Sequence, residues 1–383
     1  MRDLQSWDIF CRVVDNFGDA GVCWRLARQL AGEHDAKVRL WIDDIDSLAR
    51  LEPRVAPVHE QSIDDVQVVH WSRVSSATRP AQIIVEAFGC GLPDEYVAAL
   101  SGSRERRVWV VLEYLSAESW IADHHALPSP HPRLPVDRYF FFPGFVEGTG
   151  GLLRERELFA RRDCFDAAKR EAFWRSTGYS APPENATTVS LFAYETAPVR
   201  ELLRCWQAGS SPVVAAVPDS RATQSVLEHF GAGAIPPERV LRSGALEVRF
   251  IPFLPQARYD ELLWACDCNF VRGEDSFVRA QWAARPFVWQ IYPQQDLVHC
   301  AKLEAFLALY CEGLPAAAAD AVSRLTRVWN QIGSGGVTPA SAWEAFRLER
   351  PALRRHGVEW AGRIATVGDV AGNLARFCLA KLK

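Results

Sequence analysis

Short segments rich in valine and isoleucine alternate with helical runs twice along this chain, and that alternation leaves few folds open. Residues 7–14 read as a first strand, which stops at Asp15-Asn16-Phe17-Gly18-Asp19-Ala20-Gly21. Val22, Leu26 and Leu30 then recur at helical spacing. Residues 37–42, 66–71, 83–88 and 108–112 read as further strands, apolar on both faces, as parallel strands buried between helices are. Ala181-Pro182-Pro183-Glu184-Asn185 reads as a linker, because Pro-Pro cannot continue a helix. A second round follows, with strands predicted over 189–194, 213–217, 248–253, 269–272 and 287–291 and helical runs between them. From residue 319 the pattern is helical, broken at 333–336 and at Gly368. The rhythm predicts two doubly wound α/β domains facing each other across a cleft.

At 383 residues, 49% apolar and 23% charged, the chain is globular and long enough for two such domains. A formal net charge of -4 gives no support to direct binding of nucleic acid. No apolar run reaches the roughly 18–20 residues of a membrane span, and no signal-peptide core follows Met1. The 10 cysteines form no C-x-x-C pair and no zinc spacing. The expectation is a soluble, reduced, cytoplasmic protein without a structural metal.

Several clusters can carry chemistry. Asp15-x-x-Gly18-Asp19-x-Gly21 sits between a strand and a helix, where open α/β sheets bind ligands. Its two carboxylates can converge on a cationic or hydroxylic group; equally, Asp19 can be a helix N-cap and Asp15 a strand terminator. It is not a dinucleotide fingerprint. Arg272-Gly273-Glu274-Asp275-Ser276 also opens a helix after a strand, a setting suited to an anion such as a diphosphate, or to an ordinary acidic first turn. Phe192 and Tyr194 share one face of a strand, and Phe253, Gln256 and Tyr259 end a later one. Such residues suit a stacked, hydrogen-bonded base, although core packing is the commoner fate of aromatics. Asp43-Asp44-x-Asp46 has the D-x-D form of a metal site but reads better as an acidic helix start. The proline-rich segment 122–151, with Asp123-His124-His125 and His131, reads as a long loop holding one short strand; it is a candidate for substrate contact rather than a zinc site.

The run from Trp7 to Arg25, WDIFCRVVDNFGDAGVCWR, closely resembles the N-terminal signature of the bacterial elongation factor P arginine rhamnosyltransferases. Leu127-Pro128-Ser129-Pro130-His131-Pro132, Tyr139-Phe140-Phe141-Phe142-Pro143-Gly144-Phe145 and Arg272-Gly273-Glu274-Asp275-Ser276 are similar to that family too, so the resemblance runs through most of the chain. It implies a GT-B architecture of two Rossmann-like domains. The implied boundaries are 1–178 for an acceptor-side domain, 184–358 for a nucleotide-sugar domain, and 359–383 for a C-terminal helix returning to the first.

The implied activity is inverting, metal-independent transfer of L-rhamnose from dTDP-β-L-rhamnose to an arginine of elongation factor P, relieving polyproline stalling. No cofactor is implied beyond that donor. Residue by residue, Asp19 matches the family's general base, Asp15 a second essential carboxylate and Glu274 a further catalytic residue. Asn16, Phe17, Gly18, Phe192, Tyr194, Phe253, Gln256, Arg272, Gly273, Asp275 and Ser276 match donor-site positions. Two alternatives stay open from chemistry alone. One is a GT-B enzyme for another nucleotide sugar and acceptor; the other is a non-catalytic nucleotide-binding partner protein.

Overall fold

The first strand, β1 (Ser6–Cys11), is flanked by β2 (Lys37–Ile42) and β5 (Ile83–Ala87), both parallel to it. A computed structural model gives this arrangement and describes residues 5–15, 17–101, 105–131, 134, 136–294, 297–333 and 335–383. The chain divides into two units, residues 1–156 with 363–383, and residues 157–362. In the first, β3 (Glu60–Ile63), β4 (Val66–His70), β6 (Val108–Leu112) and β7 (Asp137–Phe141) complete a seven-stranded sheet of order β3-β4-β2-β1-β5-β6-β7. Only β3 runs antiparallel, to β4.

The second unit holds β8 (Thr187–Leu191), β9 (Val213–Pro218), β10 (Val240–Ser243), β11 (Leu246–Ile251), β12 (Cys268–Arg272) and β13 (Phe287–Gln290). Their order is β10-β11-β9-β8-β12-β13, with β10 the antiparallel edge. Parallel strands of this kind are covered on both faces. Hence β5, β6, β8 and β12 are buried at every residue. Such sheets bind ligands beyond the carboxyl ends of their strands.

The first unit ends at Arg156, short of the 178 read from the sequence. The cause is local packing. Residues beyond 156 form two helices, Leu158–Asp163 and Ala167–Ser176, separated where Asp166 accepts the Lys169 N–H at 2.9 Å and starts the second. The second of them buries Phe173 and Trp174 against Ala216, Ile251 and Leu262. The C-terminal helix Val370–Leu382 belongs to the first unit. Gln29 Nε2 donates to Asp369 Oδ1 at 2.9 Å and to the Arg154 carbonyl at 2.8 Å, while Asn373 Nδ2 donates to the Gly150 carbonyl at 3.0 Å. Gly151 takes φ +74°, and a Cβ there would lie 2.4 Å from the Gly368 carbonyl oxygen, so only glycine admits this approach.

Two buried carboxylates are structural. Asp8 lies in the middle of β1 and accepts from Arg39 Nε at 2.6 Å, Arg39 Nη2 at 2.7 Å, Trp41 Nε1 at 3.0 Å and the Ala81 N–H at 2.9 Å. In the second unit, Asp260 takes a two-pronged ion pair from Arg279 at 2.7 and 2.6 Å, with both side chains buried. The pair clips the helix Gln256–Ala265 to the helix Asp275–Ala283. Asp260→Ala strands the Arg279 charge in the core. The unfolding free energy is expected to fall by about 3–5 kcal/mol, measured by denaturant titration.

Candidate active-site residues in the two units

In the first unit the strand predicted to reach residue 14 stops at Cys11. Beyond it, the backbone donates to carboxylates instead of to a neighbouring strand. The Val13 N–H goes to Asp43 Oδ1 at 2.9 Å, and the Val14 and Asp15 N–H groups go to Asp19 Oδ2 at 2.8 and 2.9 Å. Asp19 is the second residue of the helix Gly18–His34, whose N-cap is Phe17. It therefore does not cap its helix; it reaches back and fixes the preceding loop.

Asp19 is 3% exposed, and its second oxygen, Oδ1, receives the Tyr114 hydroxyl at 3.3 Å. Asp15 is half-buried, and its Oδ2 lies 3.0 Å from where a Cβ on Gly18 would stand. Glycine at 18 thus lets the second carboxylate lie against the turn that carries the first. The Phe17 ring has the Arg50 guanidinium 5.3 Å above it. Asn16 lies outside the described residues.

Two neighbours escaped the sequence reading. Phe88 follows β5 directly and takes φ +58°, a left-handed conformation that is an outlier for a bulky residue. Its ring stacks on Tyr114, 4.3 Å between centroids and 11° between planes. Tyr114 lies two residues beyond β6. The signal was present: residues just past the carboxyl ends of parallel strands border the binding crevice.

The Asp43-Asp44-x-Asp46 cluster is a helix start. Asp44 accepts from Ser47 N at 3.0 Å and from Ser47 Oγ at 2.6 Å. The histidines of 122–151 have separate partners: His124 Nδ1 bonds the Trp120 carbonyl, His131 stacks on Trp109, and His125 Nδ1 accepts the Phe142 N–H at 3.1 Å. Among the described residues, no three His, Cys, Asp or Glu side chains gather as metal ligands. Burial lowers the His125 pKa. The folded protein therefore keeps the ring neutral, while the unfolded chain takes up a proton near pH ~6.5. Stability from this group is whole above that pH and is lost as pH falls below it. Wild type is expected to lose thermal stability relative to His125→Asn, which keeps an acceptor but does not titrate, between about pH 7.5 and 5.5.

In the second unit, Phe192, Tyr194, Gln256, Gly273, Asp275 and Ser276 gather around Arg272 and the helix start that follows β12. Arg272 is 6% exposed, with its guanidinium carbon 4.5 Å from the Phe192 ring centre and 4.4 Å from that of Tyr194. Its Nε and Nη1 have no hydrogen-bond partner among the described residues. Buried charged N–H groups left without an acceptor cost free energy, so this arrangement suits an anion. Gly273 follows at φ +62°, and Glu274 is the N-cap of the helix Asp275–Ala283 without capping it through its side chain. The Ser276 hydroxyl donates to the Arg272 carbonyl and accepts the Arg272 N–H at 3.1 Å. It fixes the backbone of Arg272.

Buried Gln256 donates to Asp275 Oδ2 at 3.1 Å, a geometry set by the Asp260–Arg279 clip. The half-buried Phe253 lies two residues past β11, and Tyr259 packs on Phe192 with ring centres 6.0 Å apart. Gln290 and Tyr292 were also missed: Gln290 Oε1 accepts the Tyr194 N–H at 2.8 Å, and Tyr292 packs edge-on against Tyr194 at 5.6 Å.

The geometry finds counterparts among known proteins. Residues 7–379 match the family model described as Elongation-Factor P (EF-P) rhamnosyltransferase EarP. A protein-arginine rhamnosyltransferase of Pseudomonas aeruginosa is 44% identical over 98% of this chain and 99% of its own length. One from Neisseria meningitidis is 34% identical over 96% of each chain. A solved structure described as the basis for EarP-mediated arginine glycosylation of translation elongation factor EF-P superposes with a TM-score of 0.70 at 35% identity, covering 97% of this chain and 98% of that one. A calicheamicin glycosyltransferase, 13% identical with a TM-score of 0.50 over 100% of this chain and 99% of that one, shares the GT-B fold.

Proposed function

The chain belongs to the elongation factor P rhamnosyltransferase family, whose members transfer rhamnose to a protein arginine, and from that premise we propose its full reaction. L-rhamnose passes from dTDP-β-L-rhamnose to one arginine of elongation factor P, with inversion at the anomeric carbon and without a metal. The observation that carries the donor half is Arg272, a buried guanidinium with unbonded N–H groups held between two aromatic rings. Its positive charge complements a diphosphate, and the helix Asp275–Ala283, whose N-terminus favours anions, begins three residues further on.

The acceptor half falls to Asp15 and Asp19. A guanidinium has a pKa above about 12 and holds its proton against an ordinary carboxylate of pKa about 4. The proton must therefore leave as the new bond forms. In this reading the two carboxylates grip the guanidinium and aim one terminal nitrogen at the anomeric carbon. The C–N bond forms, the bond from the anomeric carbon to the β-phosphate oxygen breaks, dTDP leaves with the electron pair, and Asp19 takes the proton. Arg272 balances the charge growing on the leaving diphosphate. A single displacement inverts the sugar carbon.

Incubation of the protein with dTDP-β-L-rhamnose and the cognate elongation factor P, followed by intact mass spectrometry, tests the reading. It expects one deoxyhexose on the factor, placed on an arginine by fragmentation and still added in excess EDTA. An unmodified factor, or a sugar on another residue type, contradicts it.

A further inference from the structure

Asp19 divides its two oxygens between different tasks. Oδ2 is consumed by the Val14 and Asp15 N–H groups and holds the loop, so any chemistry falls to Oδ1. Oδ1 accepts a hydrogen bond from the Tyr114 hydroxyl, at 3.3 Å. That is longer than the roughly 2.5–3.0 Å usual for an O–H donor, so the contact is a weak one that leaves Oδ1 accessible to a second partner.

Tyr114 is itself held from behind. Its ring lies flat on Phe88, whose left-handed backbone is secured by its own N–H donating to the Leu112 carbonyl at 2.6 Å. The buried Glu86 braces the same loop, accepting from the Gly91 N–H at 2.9 Å and from Trp109 Nε1 at 3.0 Å. A strained aromatic residue maintained by this much structure points to a positional demand at the end of β5.

We propose that Tyr114 is a positioning residue for rhamnosyl transfer: supported by Phe88, its hydroxyl sets the plane of the Asp19 carboxylate so that the remaining lone pair of Oδ1 faces the acceptor nitrogen. The proposal rests on the reading of Asp19 as the acceptor-side base. Its contribution is orientation, and a base displaced by an ångström costs on the order of a hundredfold in rate.

The test is a mutant cycle in the transfer assay. Tyr114→Phe keeps the ring and its stacking, so dTDP binding by the second unit is expected to be unchanged. The expected result is a fall in kcat of about ten- to a hundredfold with the donor KM within about twofold of wild type. Added to Asp19→Asn, the same change is expected to cost nothing further, because the group it positions is already gone. Phe88→Ala is expected to lower kcat in the same direction by a smaller factor.

A Tyr114→Phe enzyme with wild-type kcat, beside an inactive Asp19→Asn, overturns the positioning role and leaves the base reading standing. Losses that multiply in the double variant overturn it too. An Asp19→Asn enzyme at wild-type rate removes the base reading, and the Tyr114 role with it.

Discussion

Asp19→Asn is expected to slow transfer by about 10²- to 10⁴-fold while leaving dTDP binding intact. The substitution separates the two tasks of the side chain. The amide oxygen can occupy the place of Oδ2 and keep the bonds from Val14 and Asp15 at 2.8 and 2.9 Å, so the loop survives. The amide nitrogen then occupies the place of Oδ1 and cannot accept a proton, although it can donate to the Tyr114 hydroxyl. Single-turnover kinetics with saturating donor read the chemical step directly. Asp19→Ala is a poorer probe, because it frees two backbone N–H groups and disturbs the loop that carries Asp15.

Arg272→Met is expected to weaken dTDP binding by roughly 30- to 5,000-fold, the loss usual when a buried charge partner of a ligand is removed. The same variant without ligand is expected to be at least as stable as wild type. In the unliganded protein this guanidinium is buried with unbonded N–H groups, and an apolar side chain of similar length removes that cost. The pair of outcomes is diagnostic: a higher melting point alone, and little further rise on adding dTDP, where wild type rises strongly. Arg272→Lys is expected to fall between, since an ammonium cannot spread between the Phe192 and Tyr194 rings as a planar guanidinium does.

Much of this is legible in the sequence. The central strands were readable because burial on both faces leaves an uninterrupted apolar run, as in Val108–Leu112. The edge strands β3 and β10 were not, because Glu-Gln-Ser-Ile and Val-Leu-Arg-Ser are half-exposed and polar, with no pattern that separates them from loop. The end of β1 was overextended for a related reason. Val13 and Val14 look like strand, but their N–H groups bond Asp43 and Asp19, residues 30 and 5 positions away, and sequence periodicity does not record such partners.

The same limit applies to the candidate site. Asp15, Gly18 and Asp19 stood out through their spacing, and Arg272 through its place between strand and helix. That Asp19 bonds backward, that Ser276 serves the backbone of Arg272, and that Phe88 and Tyr114 complete the surroundings of Asp19 all depend on contacts across elements. Phe88 and Tyr114 lie one and two residues past the ends of β5 and β6, where the binding crevice of such a sheet is expected.

The division of labour is tested most directly by calorimetry with dTDP on two variants, Asp15→Asn/Asp19→Asn and Arg272→Met. The account predicts wild-type affinity in the first, together with loss of rhamnose transfer, and little measurable binding in the second. Unchanged dTDP affinity in Arg272→Met, or its collapse in the doubly substituted acid variant, would contradict it.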